Sequence, residues 1–325
     1  MNNSELKDFL ELNNIQYETE IDLSKKTWIH RGGVAGFYIT PDNVGDLQKV
    51  CTFLYEKQCP FLLVGHTSNL YIHNDANIDI VVSTAHCNAF SIQESIIECE
   101  CGAAVSKVAR ASIEKGLQGM EFLTTLPGTI GAAICNNSTV KDSKVSELLV
   151  DLDFLGSDGL VRVLTPADLQ FSFRNSALKS QSLKGVILKA RLRLSAGDAA
   201  KLNEIAKKNE ERRKKTLEGP SQNLGCTVNR TFSKGKMPRK YEIPLNIYSK
   251  LISIFVPSEK RKAKTKRFLL GIAGYKELAP YISDKQMITF IWKDDKADLY
   301  FPRYLEFMSR VYQTDFVEIQ EVKKV

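Results

Sequence analysis

The sequence lacks the features that mark several classes of protein. No apolar run approaches the roughly 18 residues that a membrane-spanning helix requires. The first residues have neither the basic start nor the apolar stretch of a signal peptide. The seven cysteines form no Cys-x-x-Cys pair and the four histidines are scattered, so we expect no metal site and no disulfide. These absences predict a cytoplasmic protein, in a reducing compartment, without a membrane partner.

Positive charge is concentrated in one part of the chain. The net charge is +7, and Lys and Arg cluster in segments 207–215, 233–240 and 259–267. Such runs are typical of solvated helix faces and loops, but they also attract anionic partners, either phosphorylated small molecules or nucleic acid. Because no motif of a nucleic-acid-binding domain accompanies the charge, we expect no nucleic-acid partner.

Two polar loops about sixty positions apart are the most informative feature. They read V-G-H-T-S-N-L at Val64–Leu70 and L-P-G-T-I-G-A-A at Leu126–Ala133. Glycine lacks a Cβ and tolerates positive φ, so such loops bring backbone N–H groups close to an anion. The pair predicts a diphosphate that is held by backbone from two sides.

Hydrophobic periodicity predicts alternating helices and strands. A helix is expected over Asn43–Lys57, and a hairpin over residues 148–164 around the turn Gly156–Gly159. The composition changes at Ser195–Asp198, which predicts a domain boundary. Near the C-terminus a helix is expected to start with Pro302 at its first position. At 325 residues the chain is long enough for two or three domains.

Several motifs occur in the order found in one known family. After His30–Gly33 (H-R-G-G) and the first loop come Gly116–Ala133, Phe171–Lys179 (F-S-F-R-N-S-A-L-K) and Pro220–Arg230 (P-S-Q-N-L-G-C-T-V-N-R). With this order and spacing, the chain resembles the UDP-N-acetylenolpyruvoylglucosamine reductase family (UDP-N-acetylmuramate dehydrogenase, MurB). That family belongs to flavoproteins related to vanillyl-alcohol oxidase.

The resemblance implies an α+β fold and a bound FAD. A two-part FAD-binding region of the vanillyl-alcohol-oxidase type would comprise residues 1–86 and 87–200, and a C-terminal α+β substrate-binding domain would comprise residues 201–325. The glycine loops would hold the pyrophosphate and ribityl region of FAD. The implied FAD-binding residues are Gly65, His66, Thr67, Ser68, Asn69, Leu70, Thr125, Pro127, Gly128, Thr129, Gly131, Ala132 and Asn137.

The implied reaction is the NADPH-dependent reduction of UDP-N-acetylglucosamine enolpyruvate to UDP-N-acetylmuramate, a peptidoglycan precursor. Arg174 would bind the substrate carboxylate through its planar fork. Cys226 stands where the family has its proton-donating serine, and a thiol is a stronger acid than an alcohol. Glu321 is the candidate C-terminal acid, with Glu318 as an alternative in another register.

The implied substrate site carries basic residues and several departures from the family pattern. Residues expected to bind the nucleotide sugar are Arg213, Lys214, Lys215, Asn229 and Arg230. Phe173 replaces a tyrosine, Gln286 a histidine and Trp292 an asparagine. These changes leave two alternatives open: a flavin oxidoreductase acting on another nucleotide sugar in surface-polysaccharide synthesis, and a non-catalytic protein that binds flavin or nucleotide sugar. The expected partners are NADPH and a nucleotide sugar, bound by a monomer.

Overall fold

A computed structural model describes residues 2–140, 143–219, 222–229, 233 and 235–323. The α-helices are Asn3–Leu12 (α1), Val44–Glu56 (α2), Val105–Glu114 (α3), Ile130–Cys135 (α4), Ala199–Thr216 (α5), Arg239–Phe255 (α6), Ser258–Ala273 (α7) and Ala297–Tyr312 (α8). The strands are Gln16–Asp22 (β1), Val34–Thr40 (β2), Leu62–Val64 (β3), Leu70–Ile72 (β4), Asn77–Ser83 (β5), Phe90–Gln93 (β6), Ile96–Glu100 (β7), Leu117–Gln118 (β8), Thr139–Val140 (β9), Ser143–Lys144 (β10), Leu149–Gly156 (β11), Val161–Leu164 (β12), Gly185–Arg193 (β13), Ser195–Ala196 (β14) and Gln320–Val322 (β15).

Two larger sheets organise the first two thirds of the chain. The first has the order β1-β2-β5-β3, with β2, β5 and β3 parallel and β1 antiparallel at the edge. The second is antiparallel, with the order β12-β11-β13-β7-β6. Strand β15 returns from the far end of the chain to pair in parallel with β4, which directly follows the first glycine loop.

Amphipathic patterns account for α2 and α3. Asn43 caps α2 by accepting a 3.0 Å hydrogen bond from Asp46 N, and the helix buries Val44, Leu47, Cys51 and Leu54 as predicted. Helix α3 buries one stripe and stops before Gly116, whose φ of +70° favours glycine. Burial of a side chain such as Leu47 contributes about 1.5–3 kcal/mol.

The prediction for the last helix was wrong at its start. Helix α8 begins at Ala297, so Pro302 lies inside it rather than at its first position. The earlier turn is retained because Phe301 and Tyr304 are fully buried, and because Asp298 accepts a 2.9 Å hydrogen bond from Tyr71 Oη. These tertiary contacts outweigh the proline preference for the first helical position.

Two hydrophobic cores contain most of the buried apolar side chains of the described residues. One core runs from Leu6 to Leu194 and joins both large sheets through α2 and α3. Another core contains the C-terminal residues from Leu224 to Ile319, but it also includes Ile29 and Tyr71 from the first 86 residues. The pairing of β15 with β4 joins the same two parts of the chain, so the C-terminal region is attached to the first 86 residues by both a core and a sheet. Among the helices of the described ranges, none is both long enough and apolar enough to cross a membrane.

Candidate functional site

The two glycine loops lie against each other. A Cβ placed on Gly65 would lie 2.6 Å from Thr129 Oγ1, and one placed on Gly128 would lie 3.3 Å from Ser68 Oγ. Because 2.6 Å is closer than side chains approach, a residue larger than glycine at position 65 would force the loops apart. The first loop leaves the end of β3, and Thr129 in the second loop caps α4 with its hydroxyl.

Unused backbone donors line the meeting point of the loops. The N–H groups of residues 65–69 donate to no acceptor in the described part of the chain, and neither do those of Gly128 and Thr129. Within the first loop, Thr67 has a φ of +54°, and its hydroxyl accepts a 2.8 Å hydrogen bond from Trp28 N. A β-branched residue rarely adopts this φ. Successive unbonded N–H groups around a residue of positive φ are typical of backbone anion sites.

The first turn of α4 contributes no further donors. Ile130 N and Gly131 N donate to the backbone oxygens of Ala103 and Cys101, at 2.9 and 2.8 Å. Ala132 N donates to the Thr129 hydroxyl at 3.4 Å. Gly131 and Ala132 therefore fix the position of the second loop, and its unused N–H groups are those before the helix.

Two buried oxygens near the second loop have no hydrogen-bond partner among the described residues. They are Thr125 Oγ1 and Asn136 Oδ1. Since buried polar groups in proteins are nearly always paired, these atoms indicate a polar ligand. Together with the unused N–H groups they fit a diphosphate and a hydroxyl-bearing chain, which FAD contains.

The remaining FAD candidates differ in their surroundings. His66 is half-buried, and this burial lowers its pKa, which favours the neutral imidazole. Leu70 is buried at the start of β4, whereas Pro127 is exposed. Asn137 is buried, donating to Ser172 O at 2.9 Å and accepting from Ser146 N at 3.3 Å. Its amide thus attaches the segment around Arg174 to the second loop.

Arg174 lies at the tip of a tight turn. Ser172 and Asn175 exchange two backbone hydrogen bonds, so Phe173 and Arg174 form the turn between them. Arg174 has a φ of +54°, and its backbone oxygen accepts a 3.1 Å hydrogen bond from Lys179 Nζ. Such a backbone persists only where its surroundings support it. The turn, Lys179 and Asn137 together hold Arg174 in place.

An acidic residue and an amide face Arg174. The distance from Arg174 Nε to Glu318 Oε2 is 3.7 Å, and the Glu318 carboxylate also accepts a short hydrogen bond from Asn229 Nδ2. Glu318 is 8% exposed, so this carboxylate is largely removed from water. Asn69 of the first loop donates to Glu318 O at 3.2 Å. The acid therefore connects the first glycine loop to the Arg174 turn.

Cys226 completes this cluster. Burial is the main cause that raises the pKa of its thiol, and Glu318 raises it further, while Arg174 and Arg213 lower it. Gln286 Nε2 lies 3.8 Å from the sulfur, at the limit of a donor contact. The next residue, Thr227, accepts from Glu318 N at 2.9 Å through its backbone oxygen. The charges of Glu318 and Arg174 thus both act on the Cys226 thiol, and the backbone of the following residue is bonded to that of Glu318.

Comparison with known proteins identifies the family. Residues 35–165 match a family model described as an FAD binding domain. The UDP-N-acetylenolpyruvoylglucosamine reductase of Caldicellulosiruptor saccharolyticus is 32% identical over 216 residues, which cover 65% of this chain and 69% of that relative. This chain belongs to the UDP-N-acetylenolpyruvoylglucosamine reductase family. The reductase of Caldicellulosiruptor bescii is 29% identical over 221 residues, 67% of this chain and 70% of the relative.

A solved structure of the same family shares the fold. The UDP-N-acetylenolpyruvylglucosamine reductase (MurB) of Thermus caldophilus superposes with a TM-score of 0.55 at 19% identity, covering 66% of this chain and 74% of that one. This likeness and the matched FAD binding domain confirm the predicted α+β fold with an FAD-binding region.

Within this member of the reductase family, the two candidate acids occupy different places. Glu318 lies beside Arg174, as described above. Glu321 lies on β15, and its carboxylate is 2.6 Å from His73 Nε2 and 3.5 Å from Lys323 Nζ. The structure therefore brings the alternative acid, Glu318, to Arg174 and Cys226, and it places the first choice, Glu321, in a separate ion pair.

The predicted substrate residues of the reductase family are only partly brought together. Arg213 is half-buried, and this burial lowers its pKa. Its positive charge lowers the pKa of Cys226. Asn229 contacts Glu318, whereas Lys214 and Lys215 are exposed. Arg230 lies outside the described residues. Two site residues were not predicted, Lys179 and Asn136. Lys179 is the last residue of the motif at Phe171–Lys179, and Asn136 follows the motif at Gly116–Ala133. Their closeness to these motifs could have indicated that they belong to the site.

Proposed function

We propose that this protein is an FAD-dependent, NADPH-using reductase that converts UDP-N-acetylglucosamine enolpyruvate to UDP-N-acetylmuramate. The observation that carries the proposal is the cluster of Arg174, Glu318 and Cys226 beside the first glycine loop. The cluster supports the proposal because a guanidinium and a thiol lie near loops with unused backbone donors. We also propose that the protein acts as a monomer in the cytoplasm.

In this proposal each protein group has one task. FAD, held by the two glycine loops, would supply the hydride for the enolpyruvyl β-carbon, and NADPH would supply the reducing equivalents. Arg174 binds the substrate carboxylate and stabilises the negative charge that develops on it. Cys226 delivers its proton to the adjacent carbon, which completes the reduction of the carbon–carbon double bond. Arg174 and Arg213, close to the sulfur, then stabilise the thiolate that remains.

Glu318 is the acid that we assign to the protonation step, in place of Glu321. It holds Asn229 and lies within ion-pair distance of Arg174, so it orients both groups toward the substrate. As a neighbouring negative charge it also raises the pKa of Cys226. The thiol therefore stays protonated until the reaction requires its proton.

The proposal is tested with purified holoenzyme and the enolpyruvyl nucleotide sugar. NADPH oxidation should depend on the sugar substrate, and the product should carry a lactyl group, which mass spectrometry detects as a gain of two hydrogens. NADPH oxidation that is unaffected by the sugar, in protein with full FAD content, would overturn the proposal.

A second candidate function keeps the flavin chemistry with another nucleotide sugar. One observation favours it: Trp292, at the position of the family asparagine, is fully buried against Tyr71, Phe290 and Phe301. At this position the chain therefore has an aromatic ring of the core in place of a polar amide. Thermal shifts measured with a panel of nucleotide sugars distinguish the candidates, because the true ligand stabilises the folded state most. A panel without any shift, together with absent turnover, would favour a non-catalytic homologue.

A further inference from the structure

Two helices of the C-terminal region form a hairpin that the catalytic proposal does not use. We call residues 239–273, which comprise α6 and α7, the C-terminal hairpin. Tyr248 stacks on Phe268 with ring centroids 4.0 Å apart and an angle of 4° between the ring planes. Arg261 donates to Val256 O at 2.7 Å and to Ser253 O at 2.8 Å. These bonds fix the tip of the hairpin, where α6 ends and α7 begins.

Helix α6 carries apolar side chains on its exposed side as well as on its buried side. Tyr241 and Ile252 face the core. Five other apolar residues lie along one outer face of the helix, because three of them are four positions apart and the last two follow three and four positions after the third. We call this face the apolar stripe, and its members are exposed by 54% (Ile243), 57% (Ile247), 54% (Leu251), 71% (Ile254) and 81% (Phe255).

The stripe is contiguous and most exposed at the hairpin tip. It extends for about 18 Å along the helix, at 1.5 Å per residue. Single exposed apolar residues are ordinary on protein surfaces, but a row of five marks a contact surface. Folding alone does not explain the row, because the buried side of α6 already supplies its packing.

Positive charge follows the exposed end of the stripe along the chain. Residues 239–273 contain nine Lys or Arg and two Glu, an excess that equals the net charge of +7 of the whole chain. Lys266 is an exception to the exposed pattern, since it is buried and donates to the backbone oxygens of Ala279 and Ile282. Lys260, Lys262 and Lys264 are exposed and make no ion pair with any acid in the described ranges.

The position of these lysines argues against a role in stabilising the fold. They lie in the first two turns of α7, where the helix macrodipole disfavours cations. The most exposed residues of the apolar stripe, Ile254 and Phe255, are only a few positions before them. An apolar tip next to unpaired lysines is the pattern of a segment that lies on an anionic membrane surface.

We propose that the C-terminal hairpin docks on the surface of an anionic phospholipid membrane. Ile254 and Phe255 enter the headgroup region, the rest of the apolar stripe lies along the interface, and Lys260, Lys262 and Lys264 contact lipid phosphates. Charge complementarity favours this occupant, since lysines act as point charges that suit diffuse negative surfaces. The proposal departs from the sequence-based expectation of no membrane partner. That expectation rested on the absence of a long apolar run, which surface docking does not require.

Sedimentation of the full-length holoprotein with vesicles tests this proposal. Vesicles of phosphatidylcholine alone are compared with vesicles that contain about 30 mol% phosphatidylglycerol. We expect the sedimented fraction to rise at least about fivefold with the anionic vesicles, and to fall again at about 0.5 M salt, where charges are screened.

Two variants separate the apolar from the electrostatic contribution to membrane binding, and a third is a control. The double variant Ile254→Ser/Phe255→Ser and the triple variant Lys260→Gln/Lys262→Gln/Lys264→Gln should each lose most of the binding. Leu12→Ser is the matched control, since Leu12 is 83% exposed but lies in α1, outside the hairpin. FAD content and melting temperature, measured for every variant, report whether the fold is intact.

Other outcomes would overturn the proposal. Equal sedimentation with neutral and anionic vesicles would do so, as would unchanged binding of both hairpin variants. If light scattering instead finds a dimer that Phe255→Ser dissociates, the stripe belongs to contact between two copies of the chain. Specific binding of an acidic peptide without vesicle binding would assign the surface to a protein partner. Turnover of the enzyme is independent of each result, so failure here does not affect the proposed reaction.

Discussion

Asn69 Nδ2, in the first glycine loop, donates a 3.2 Å hydrogen bond to the backbone oxygen of Glu318. The carboxylate of the same glutamate lies 3.7 Å from Arg174 Nε. A residue of the expected flavin-binding loop and a residue of the expected substrate site therefore both lie next to Glu318. A substitution of Asn69 should therefore alter the position of Arg174, and a substitution of Arg174 should alter that of Asn69.

The two candidate acids should respond differently to loss of charge. Glu318→Gln should reduce kcat by about 10²-fold, because Glu318 positions Arg174 and Asn229 and helps to keep the Cys226 thiol protonated. Glu321→Gln should change kcat less than about twofold, because Glu321 pairs with His73 away from Arg174. Steady-state turnover with saturating NADPH measures both variants. Equal loss in the two variants, or a loss only in Glu321→Gln, would contradict the assignment of Glu318.

Replacement of Cys226 should slow substrate reduction without slowing reduction of the flavin. Cys226→Ala removes the proton donor, so substrate reduction should fall about 10²–10⁴-fold in single-turnover experiments. Bleaching of the flavin absorbance by NADPH should stay within about twofold of the wild-type rate. If both steps slow together, Cys226 supports the fold or the cofactor rather than the protonation step.

The pH profile of the enzyme should reflect the buried thiol. An ordinary thiol has a pKa of about 8.5, and burial raises the pKa of Cys226 above its ordinary value. The thiol must be protonated to act, so kcat should persist above the pH at which an ordinary thiol ionises and should decline only beyond it. Cys226→Ser should be slower and should lack this alkaline decline, because an alcohol does not ionise in the accessible range. A wild-type decline centred below about pH 8 would contradict this account.

Contact between the two glycine loops should make Gly65 sensitive to a single methyl group. Gly65→Ala places its Cβ 2.6 Å from Thr129 Oγ1, and Thr129 is buried, so the loops must separate. We expect a loss of about 1–3 kcal/mol of stability, as for overpacking elsewhere, and weaker FAD retention. Gly219→Ala is the matched control, because a Cβ there meets nothing within 4 Å. The ratio of flavin to protein absorbance after gel filtration, with the melting temperature, distinguishes the two variants.

Lys179 should act on the substrate through the Arg174 backbone. Lys179→Met removes the 3.1 Å hydrogen bond to Arg174 O and with it one support of the positive φ. We expect the KM for the sugar substrate to rise about tenfold, since small misplacements of a binding group have large effects. The exposed Lys184 offers the control variant Lys184→Met. A change in melting temperature without any change in KM would show a purely structural role.

Local patterns were sufficient to predict much of the fold. Helices α2 and α3 were predicted from their apolar stripes, because each buries one side only. Helix α8 was placed five residues too late because its first turn depends on distant contacts, such as that between Tyr71 and Asp298. Helices α6 and α7 were not predicted, since their apolar and basic residues do not separate into a buried and a solvated face.

In the candidate site, too, residue types along the sequence were sufficient for some predictions, whereas others depend on contacts between distant parts of the chain. The glycine loops were recognised from their residue types, but the unused N–H groups depend on which acceptors the fold supplies. Glu318 and Glu321 are three positions apart, so in an extended segment they point to opposite faces. The sequence offers no local reason to prefer one of them. Contacts with Asn69 and Thr227 determine which acid faces Arg174.

The pairing of Asn69 with Glu318 has a consequence for the order of biosynthesis. The two residues are 249 positions apart, so a ribosome completes both glycine loops long before it adds the acid. Contacts between such distant positions also form slowly, because the intervening chain must be ordered first. Glu318 follows Asn137, Arg174 and Cys226 along the chain. A nascent chain thus acquires its flavin-binding loops early, and the last component of the site to join them is the group that assists proton transfer.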